Sequence, residues 1–219
     1  MQLRVKICGI TQVEQGQAIA GLGVTSLGFI CVPSSPRYIS GIDIKKIVGQ
    51  LPAGVDRIGV FANATLSEIE QTVAIAGLTG VQLHGEESPE FSAQVRQRLP
   101  QVELIKALRI KSAADLERTG DYETSVDTFL LDAYDPAHRG GTGKTLNWDM
   151  LEDFQPRRSW FLAGGLTPDN VLQALQRVKP NGIDLSSGVE RAPGDKDLNR
   201  VQALLANLQS LALCIKPSV

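Results

Sequence analysis

Eight short apolar runs, each followed by a polar stretch with helical spacing, constrain the fold of this chain most. Crossover helices bury both faces of the strands in a parallel sheet, so such strands appear as continuous runs of Val, Ile, Leu and Phe. The runs lie at Leu3–Cys8, Leu27–Val32, Arg57–Phe61, Gly80–His84, Glu103–Leu108, Thr128–Asp132, Ser159–Ala163 and Gly182–Leu185. This alternation predicts parallel βα units.

Eight such units in 219 residues favour one domain, a (β/α)8 or TIM barrel of class α/β that spans residues 1–219. An open, doubly wound parallel sheet is the alternative. Thr11 with Glu14, and Thr65 with Glu68, match the T-x-x-E pattern of a capping box and predict two helix starts. Asp197 is expected to open the last helix.

Charge and cysteine content exclude several classes of function. Lys and Arg number 22 against 24 Asp and Glu, so the net charge of −2 gives no field that would steer the chain onto nucleic acid or an anionic membrane. No apolar stretch reaches the roughly 18 residues of a membrane helix. The three cysteines, Cys8, Cys31 and Cys214, lack the spacing of a zinc site. We expect a reduced, cytoplasmic protein with no metal.

Polar residues at the ends of predicted strands mark the expected site, because barrel enzymes build their active sites at the carboxyl ends of the strands. Cys8, His84 and Asp132 end the first, fourth and sixth strands. Side chains alternate along a strand, so Lys6 shares the face of Cys8. His84 and His138 are the only histidines, so proton transfer would depend on carboxylates or on a tuned cysteine.

Glycine-rich loops after the last strands predict a phosphate site. Backbone N–H groups of such loops can surround an anion, and barrels often bind phosphate in the loops after strands seven and eight. The candidate phosphate ligands are Gly164, Gly165, Ser186, Ser187 and Gly188. We therefore expect a phosphorylated small-molecule substrate.

Motifs along nearly the whole chain resemble those of the phosphoribosylanthranilate isomerase family. They are KICGIT (6–11), SPRYIS (35–40), VQLHGEE (81–87), LLDAYDP leading to GGTGKT (130–145), LAGGLTPDNV (162–171), DLSSGVE (184–190) and PGDKD (193–197). One departure lies after the second strand, where Cys31 and Ser34 stand at positions at which family members often have an aromatic residue and a lysine.

The resemblance implies an Amadori rearrangement in tryptophan biosynthesis that uses no cofactor. It assigns Asp132 as general acid and Cys8 as general base. It also implies that Arg37 pairs with the anthranilate carboxylate and that Asp184 lies near the reacting sugar. We expect Lys6 to be among the substrate-binding residues and to favour the Cys8 thiolate by its charge.

Two further expectations concern the edges of this site. His84 either lines it or is an ordinary hydrogen-bonded residue at a strand end. The glycine-rich loop after the sixth strand resembles a mobile cover that would exclude water when closed. The loop residues concerned are Gly140, Gly141, Thr142, Gly143 and Lys144.

Three alternatives stay open at this point. A ribulose-phosphate epimerase type of reaction would need a metal-binding set of His and Asp residues. An indole-glycerol-phosphate synthase type would need a catalytic Lys and Glu set, for which Lys106 is available. A barrel that binds a sugar phosphate without catalysis is the third. We expect the protein to be a monomer.

Overall fold

The eight predicted strands close into a parallel barrel. The computed structural model describes residues 3–133 and 147–214, with side chains described as far as residue 210. Each strand pairs with the next, and β1 pairs with β8. The strands are β1 (Arg4–Cys8), β2 (Ser26–Ile30), β3 (Asp56–Phe61), β4 (Gly80–Leu83), β5 (Glu103–Ile110), β6 (Thr128–Ala133), β7 (Ser159–Leu162) and β8 (Gly182–Leu185). The barrel prediction is confirmed, and the open-sheet alternative is wrong.

Helices connect the strands along the chain, and a small hairpin follows β8. The α-helices are α1 (Val13–Gly21), α2 (Gly41–Val48), α3 (Leu66–Ala76), α4 (Pro89–Arg98), α5 (Thr119–Tyr122), α6 (Val171–Arg177) and α7 (Leu198–Cys214). Short 3-10 helices lie at Ala113–Arg118, Trp148–Leu151 and Ser187–Val189. The hairpin pairs β9 (Glu190–Ala192) with β10 (Asp195–Lys196). No helix in the described ranges is long and apolar enough to cross a membrane.

Two of the three predicted helix starts are confirmed. Thr65 caps α3 in a capping box, with the Glu68 side chain bonded back to the Thr65 backbone. Asp197 accepts hydrogen bonds from the N–H groups of the residues two and three positions later, at the start of α7. The Thr11 prediction is wrong: α1 begins at Val13, and the Thr11 hydroxyl donates to the Gly194 carbonyl at 2.6 Å.

The interior of the barrel is packed below the level of the site. An apolar cluster fills the middle of the barrel, separate from the larger core between strands and helices; it comprises Ile58, Ile105, Ala107, Leu130, Phe161 and Ala163. At the amino-terminal end, Arg4 donates to Glu103 at 2.6 and 2.7 Å and to Asp56 at 3.0 Å. The barrel is therefore filled from below, and the site opens at the carboxyl ends of the strands.

Candidate active site

A cavity of about 590 Å³ lies at the carboxyl ends of the barrel strands. Ten of the predicted site residues line it: Cys8, Arg37, His84, Asp132, Gly164, Gly165, Asp184, Ser186, Ser187 and Gly188. Lys6 lies beneath the cavity, fully buried. The predicted cover residues Gly140, Gly141, Thr142, Gly143 and Lys144 lie outside the described residues.

Lys6 is held under Cys8 by an ion pair that barrel closure creates. Strand β1 pairs with β8 so that Lys6 stands opposite Asp184, and the ammonium donates to Asp184 Oδ1 at 2.9 Å. Burial lowers the pKa of Lys6, but the charges of Asp184 and Cys8 outweigh it and leave that pKa raised. Lys6 therefore stays an ammonium directly below the thiol.

The charge on Lys6 does not by itself make Cys8 a thiolate. Burial is the largest influence and raises the pKa of the Cys8 thiol; Lys6 and Lys196 lower it, Asp184 raises it, and the net direction is upward. The expected influence of Lys6 is thus present, but Asp184 and burial outweigh it. Cys31 is a second free thiol that does not line the cavity, and burial raises its pKa to about 12.

Asp132 lies at the end of β6 beside His84. The His84 Nε2 atom is 3.4 Å from Asp132 Oδ2, and Gln82 Nε2 lies 2.8 Å from His84 Nδ1. Hydrogen bonding from the Gln82 amide to Nδ1 would place the imidazole proton on Nε2, facing Asp132. Within the described ranges, Gln82 Oε1 and His84 Nε2 are buried without a hydrogen-bond partner. His84 thus lines the cavity, and its Nε2 atom is directed at Asp132.

Arg37 reaches the cavity from the loop after β2, and Glu190 holds it from the hairpin. Its guanidinium donates to the Glu190 carboxylate through Nε at 3.0 and 3.1 Å and through Nη2 at 2.7 Å. Glu190 also accepts from Lys196 Nζ at 2.6 Å. Burial raises the pKa of Glu190, but these two cations outweigh it and hold the pKa below its ordinary value.

The predicted phosphate loops meet because residue 188 has no side chain. A Cβ on Gly188 would lie 1.8 Å from the Leu166 carbonyl oxygen and 3.3 Å from the Thr167 Cα. The backbone after β7 therefore contacts the backbone after β8 directly. Both loops line the same side of the cavity, in the position where barrels often bind phosphate.

Three residues of this region were missed from the sequence. Gln82 stands two positions before His84, so strand alternation could have placed it on the same face. Glu190 and Lys196 lie within quoted motifs, but their partner Arg37 is distant along the chain, and no local pattern pairs them.

Among the residues that the structure describes, neither the synthase nor the epimerase type of site is formed. Lys106 is buried and donates to Glu87 at 2.8 Å and to the Gly85 carbonyl at 2.9 Å, and it does not line the cavity. It is therefore not placed for a synthase type of reaction. No group of three or more His, Cys, Asp or Glu side chains suited to a metal ion is present in the part of the chain that the structure describes.

Comparison with known proteins identifies the family of this chain. A family model described as N-(5'-phosphoribosyl)anthranilate (PRA) isomerase matches residues 5–207. The N-(5'-phosphoribosyl)anthranilate isomerase of Crocosphaera subtropica is 62% identical over 209 residues, which cover 95% of this chain and 100% of that relative. The enzyme of the same name from Nostoc punctiforme is 61% identical over 208 residues, covering 95% and 99%.

Solved structures agree. The crystal structure of phosphoribosyl anthranilate isomerase from Thermotoga maritima matches with a TM-score of 0.88 and 37% identity, covering 95% of this chain and 100% of that one. A crystal structure of the isomerase in complex with reduced 1-(o-carboxyphenylamino)-1-deoxyribulose 5-phosphate matches with a TM-score of 0.84 and 35% identity, covering 95% and 100%. The chain is therefore an isomerase and belongs to the N-(5'-phosphoribosyl)anthranilate isomerase family.

Proposed function

We propose that this isomerase converts N-(5-phosphoribosyl)anthranilate into 1-(2-carboxyphenylamino)-1-deoxyribulose 5-phosphate, with Asp132 as general acid and Cys8 as general base. One observation carries the proposal. In ring order, Asp132 on β6 is followed by the glycine loops of β7 and β8, by Cys8 on β1 and by Arg37 after β2, and all of them line one cavity. This order supports the proposal, because it would set a bound phosphate between the proposed acid and the proposed base, with a guanidinium beyond the base.

The first step opens the furanose ring. Asp132 donates a proton to the ring oxygen, the C1–O bond breaks, and the lone pair of the anilino nitrogen forms a protonated imine. A positioned acid of this kind contributes about 10²- to 10⁴-fold to a rate. His84 Nε2 lies 3.4 Å from Asp132 Oδ2, so His84 is suited to orient the Asp132 carboxyl group.

The second step removes the hydrogen from C2. Cys8 takes the proton, the C2–H electron pair becomes the C1–C2 double bond of an enolamine, and the iminium nitrogen is neutralised. Tautomerisation then moves a proton from the C2 hydroxyl to C1 and yields the ketone, so the overall change is an isomerisation without a cofactor. Cys8 acts as the base in its thiolate form, and the Lys6 ammonium stabilises the negative charge on the sulfur. Because the cationic imine acidifies C2–H, the minor fraction of thiolate that a raised pKa leaves is sufficient to take this proton.

The remaining site residues bind substrate in this proposal. Gly164, Gly165, Ser186, Ser187 and Gly188 hold the phosphate. Arg37 has N–H groups that Glu190 does not use, and a guanidinium fork matches a carboxylate. Asp184 fixes Lys6 beneath Cys8 and borders the sugar.

We also propose that residues 1–219 act as one domain and as a monomer in the cytoplasm. A reducing compartment suits a mechanism that needs a free thiol, and Cys8 and Cys31 are both unpaired. The cover function of residues 140–144 is part of the same proposal.

Turnover of wild-type protein tests the function most simply. Phosphoribosylanthranilate is generated in situ, and the loss of anthranilate fluorescence is followed with and without the protein. The proposal predicts catalysed loss of signal and formation of the ketose phosphate. Well-folded protein that gives no loss above the uncatalysed background would refute it.

A further inference from the structure

A buried cluster of three charged side chains lies against the cavity. Arg37 lines the cavity, whereas Glu190 and Lys196 stand behind it on the hairpin. The side chains of Arg37, Glu190 and Lys196 are 11%, 4% and 0% exposed. Burying charged side chains costs free energy unless they are paired. A buried, paired cluster at the wall of the cavity therefore indicates a role in the site.

Glu190 accepts hydrogen bonds from one edge of the Arg37 guanidinium and leaves the N–H groups of another edge without a bond to Glu190. The carboxylate accepts from Nε and Nη2, and Gly194 N–H and Lys196 Nζ complete its partners. A guanidinium carries five N–H donors, so both N–H groups of Nη1 and one of Nη2 remain. That Nη1–Nη2 edge has the geometry for a second, bidentate carboxylate.

Gly9 makes the cluster possible. A Cβ on this residue would lie 2.8 Å from Arg37 Cδ, 3.2 Å from Ser186 Oγ and 3.4 Å from Lys196 Nζ, and its φ of +81° disfavours any other residue. The stem of Arg37 and the ammonium of Lys196 therefore both lie directly beside Gly9, the residue that follows Cys8. The cluster is built into the wall of the cavity, not attached at its rim.

The charges of the cluster leave one positive charge uncompensated. Glu190 alone would hold Arg37 in place but would also cancel its charge and repel an incoming carboxylate. The Lys196 ammonium, with Nζ 2.6 Å from Glu190 Oε1, offsets that negative charge. Arg37 is thus both fixed in orientation and still able to attract an anion.

We propose that Glu190 and Lys196 are positioning residues for Arg37. Glu190 directs the Nη1–Nη2 edge of Arg37 toward the cavity, and Lys196 neutralises Glu190, so that the site selects substrates with a carboxylate on the aromatic ring. This inference rests on the proposed function, because it assigns Arg37 to the anthranilate carboxylate.

A double-mutant cycle with two substrates tests it. kcat and KM are measured for wild type, Glu190→Gln, Arg37→Ala and the double variant, with phosphoribosylanthranilate and with N-(5-phosphoribosyl)aniline, which lacks the carboxylate. Residues in contact usually couple by an amount that corresponds to about tenfold. We expect Glu190→Gln to lower kcat/KM for the anthranilate substrate by about tenfold, mainly through KM, and to have little effect in the Arg37→Ala background.

The aniline substrate separates positioning from general structural damage. Glu190→Gln should leave kcat/KM for this substrate close to the wild-type value. Equal losses with both substrates, or a Glu190→Gln effect that persists in full without Arg37, would overturn the proposal.

Further variants keep the test decisive if Glu190→Gln does not fold. Glu190→Asp keeps the charge beside Lys196 but withdraws the carboxylate from Arg37, and it is expected to lose activity selectively with the anthranilate substrate. Arg37→Lys keeps the charge of residue 37 but removes the guanidinium that Glu190 orients, and it should show the same selectivity. If the wild-type protein does not turn over phosphoribosylanthranilate, the proposed function is wrong. If it does, but the variants lose equal activity with both substrates, only this inference is wrong.

Discussion

Replacing Gly188 with Ala should weaken binding of the substrate phosphate while the barrel stays folded. The added Cβ would lie 1.8 Å from the Leu166 oxygen, and contacts of Cβ atoms below 3.0 Å essentially do not occur. The loops after β7 and β8 must therefore separate by about 1.2 Å. Overpacking of this kind costs about 1–3 kcal/mol. If this cost is lost from the free energy of substrate binding, KM should rise by about fivefold to a hundredfold.

Steady-state kinetics and phosphate inhibition measure this effect together. KM for phosphoribosylanthranilate and the inhibition constant of inorganic phosphate should rise in parallel, with a smaller change in kcat. Gly120→Ala is the matched control, because a Cβ there has no heavy atom within 4 Å and the residue has no positive φ. Gly188→Ala protein with wild-type KM and phosphate inhibition would refute the assignment of these loops to phosphate.

Three other predictions follow from the buried charges, the thiol and the surface. Lys6→Met should destabilise the fold by about 3–5 kcal/mol in urea unfolding, because it leaves the Asp184 carboxylate unpaired. Lys46→Met breaks the exposed pair with Asp43 and should cause no measurable change; equal effects of the two would contradict the reasoning. Because burial raises the pKa of Cys8, its alkylation by iodoacetamide, measured with the other cysteines replaced by Ser, should still accelerate above about pH 8.5, and a plateau below pH 7 would be the contrary result. Light scattering after gel filtration should give the mass of a monomer, 23.6 kDa, and twice that mass would correct the proposed oligomeric state.

The barrel could be predicted because its signals are local. Each strand is a short apolar run, and every predicted run ends and begins within two residues of the observed strand. Because barrel sites lie at the carboxyl ends of the strands, the sequence alone also placed Cys8, His84 and Asp132 in one site. Thr65 and Glu68 form their capping box from neighbouring residues, so that prediction also succeeded.

Partners distant along the chain explain what could not be predicted. The Thr11 hydroxyl bonds to the Gly194 carbonyl instead of capping α1, an interaction 183 residues apart. Lys6 was expected to favour the Cys8 thiolate, but closure of β1 against β8 also gives it Asp184 as a partner, which no local pattern indicates. Burial, which raises the pKa of Cys8, is likewise a property of the folded barrel and not of the KICGIT motif.

The central claim is that Asp132 opens the ring and Cys8 then removes the C2 proton. The measurement that tests it most directly is the isotope effect with substrate deuterated at C2, in single turnovers of Cys8→Ser and Asp132→Asn. We expect a full primary isotope effect in Cys8→Ser, because proton removal becomes rate-limiting, and none in Asp132→Asn, because ring opening becomes rate-limiting. The same isotope effect in both variants, or an isotope effect in Asp132→Asn and none in Cys8→Ser, would contradict these roles of Asp132 and Cys8.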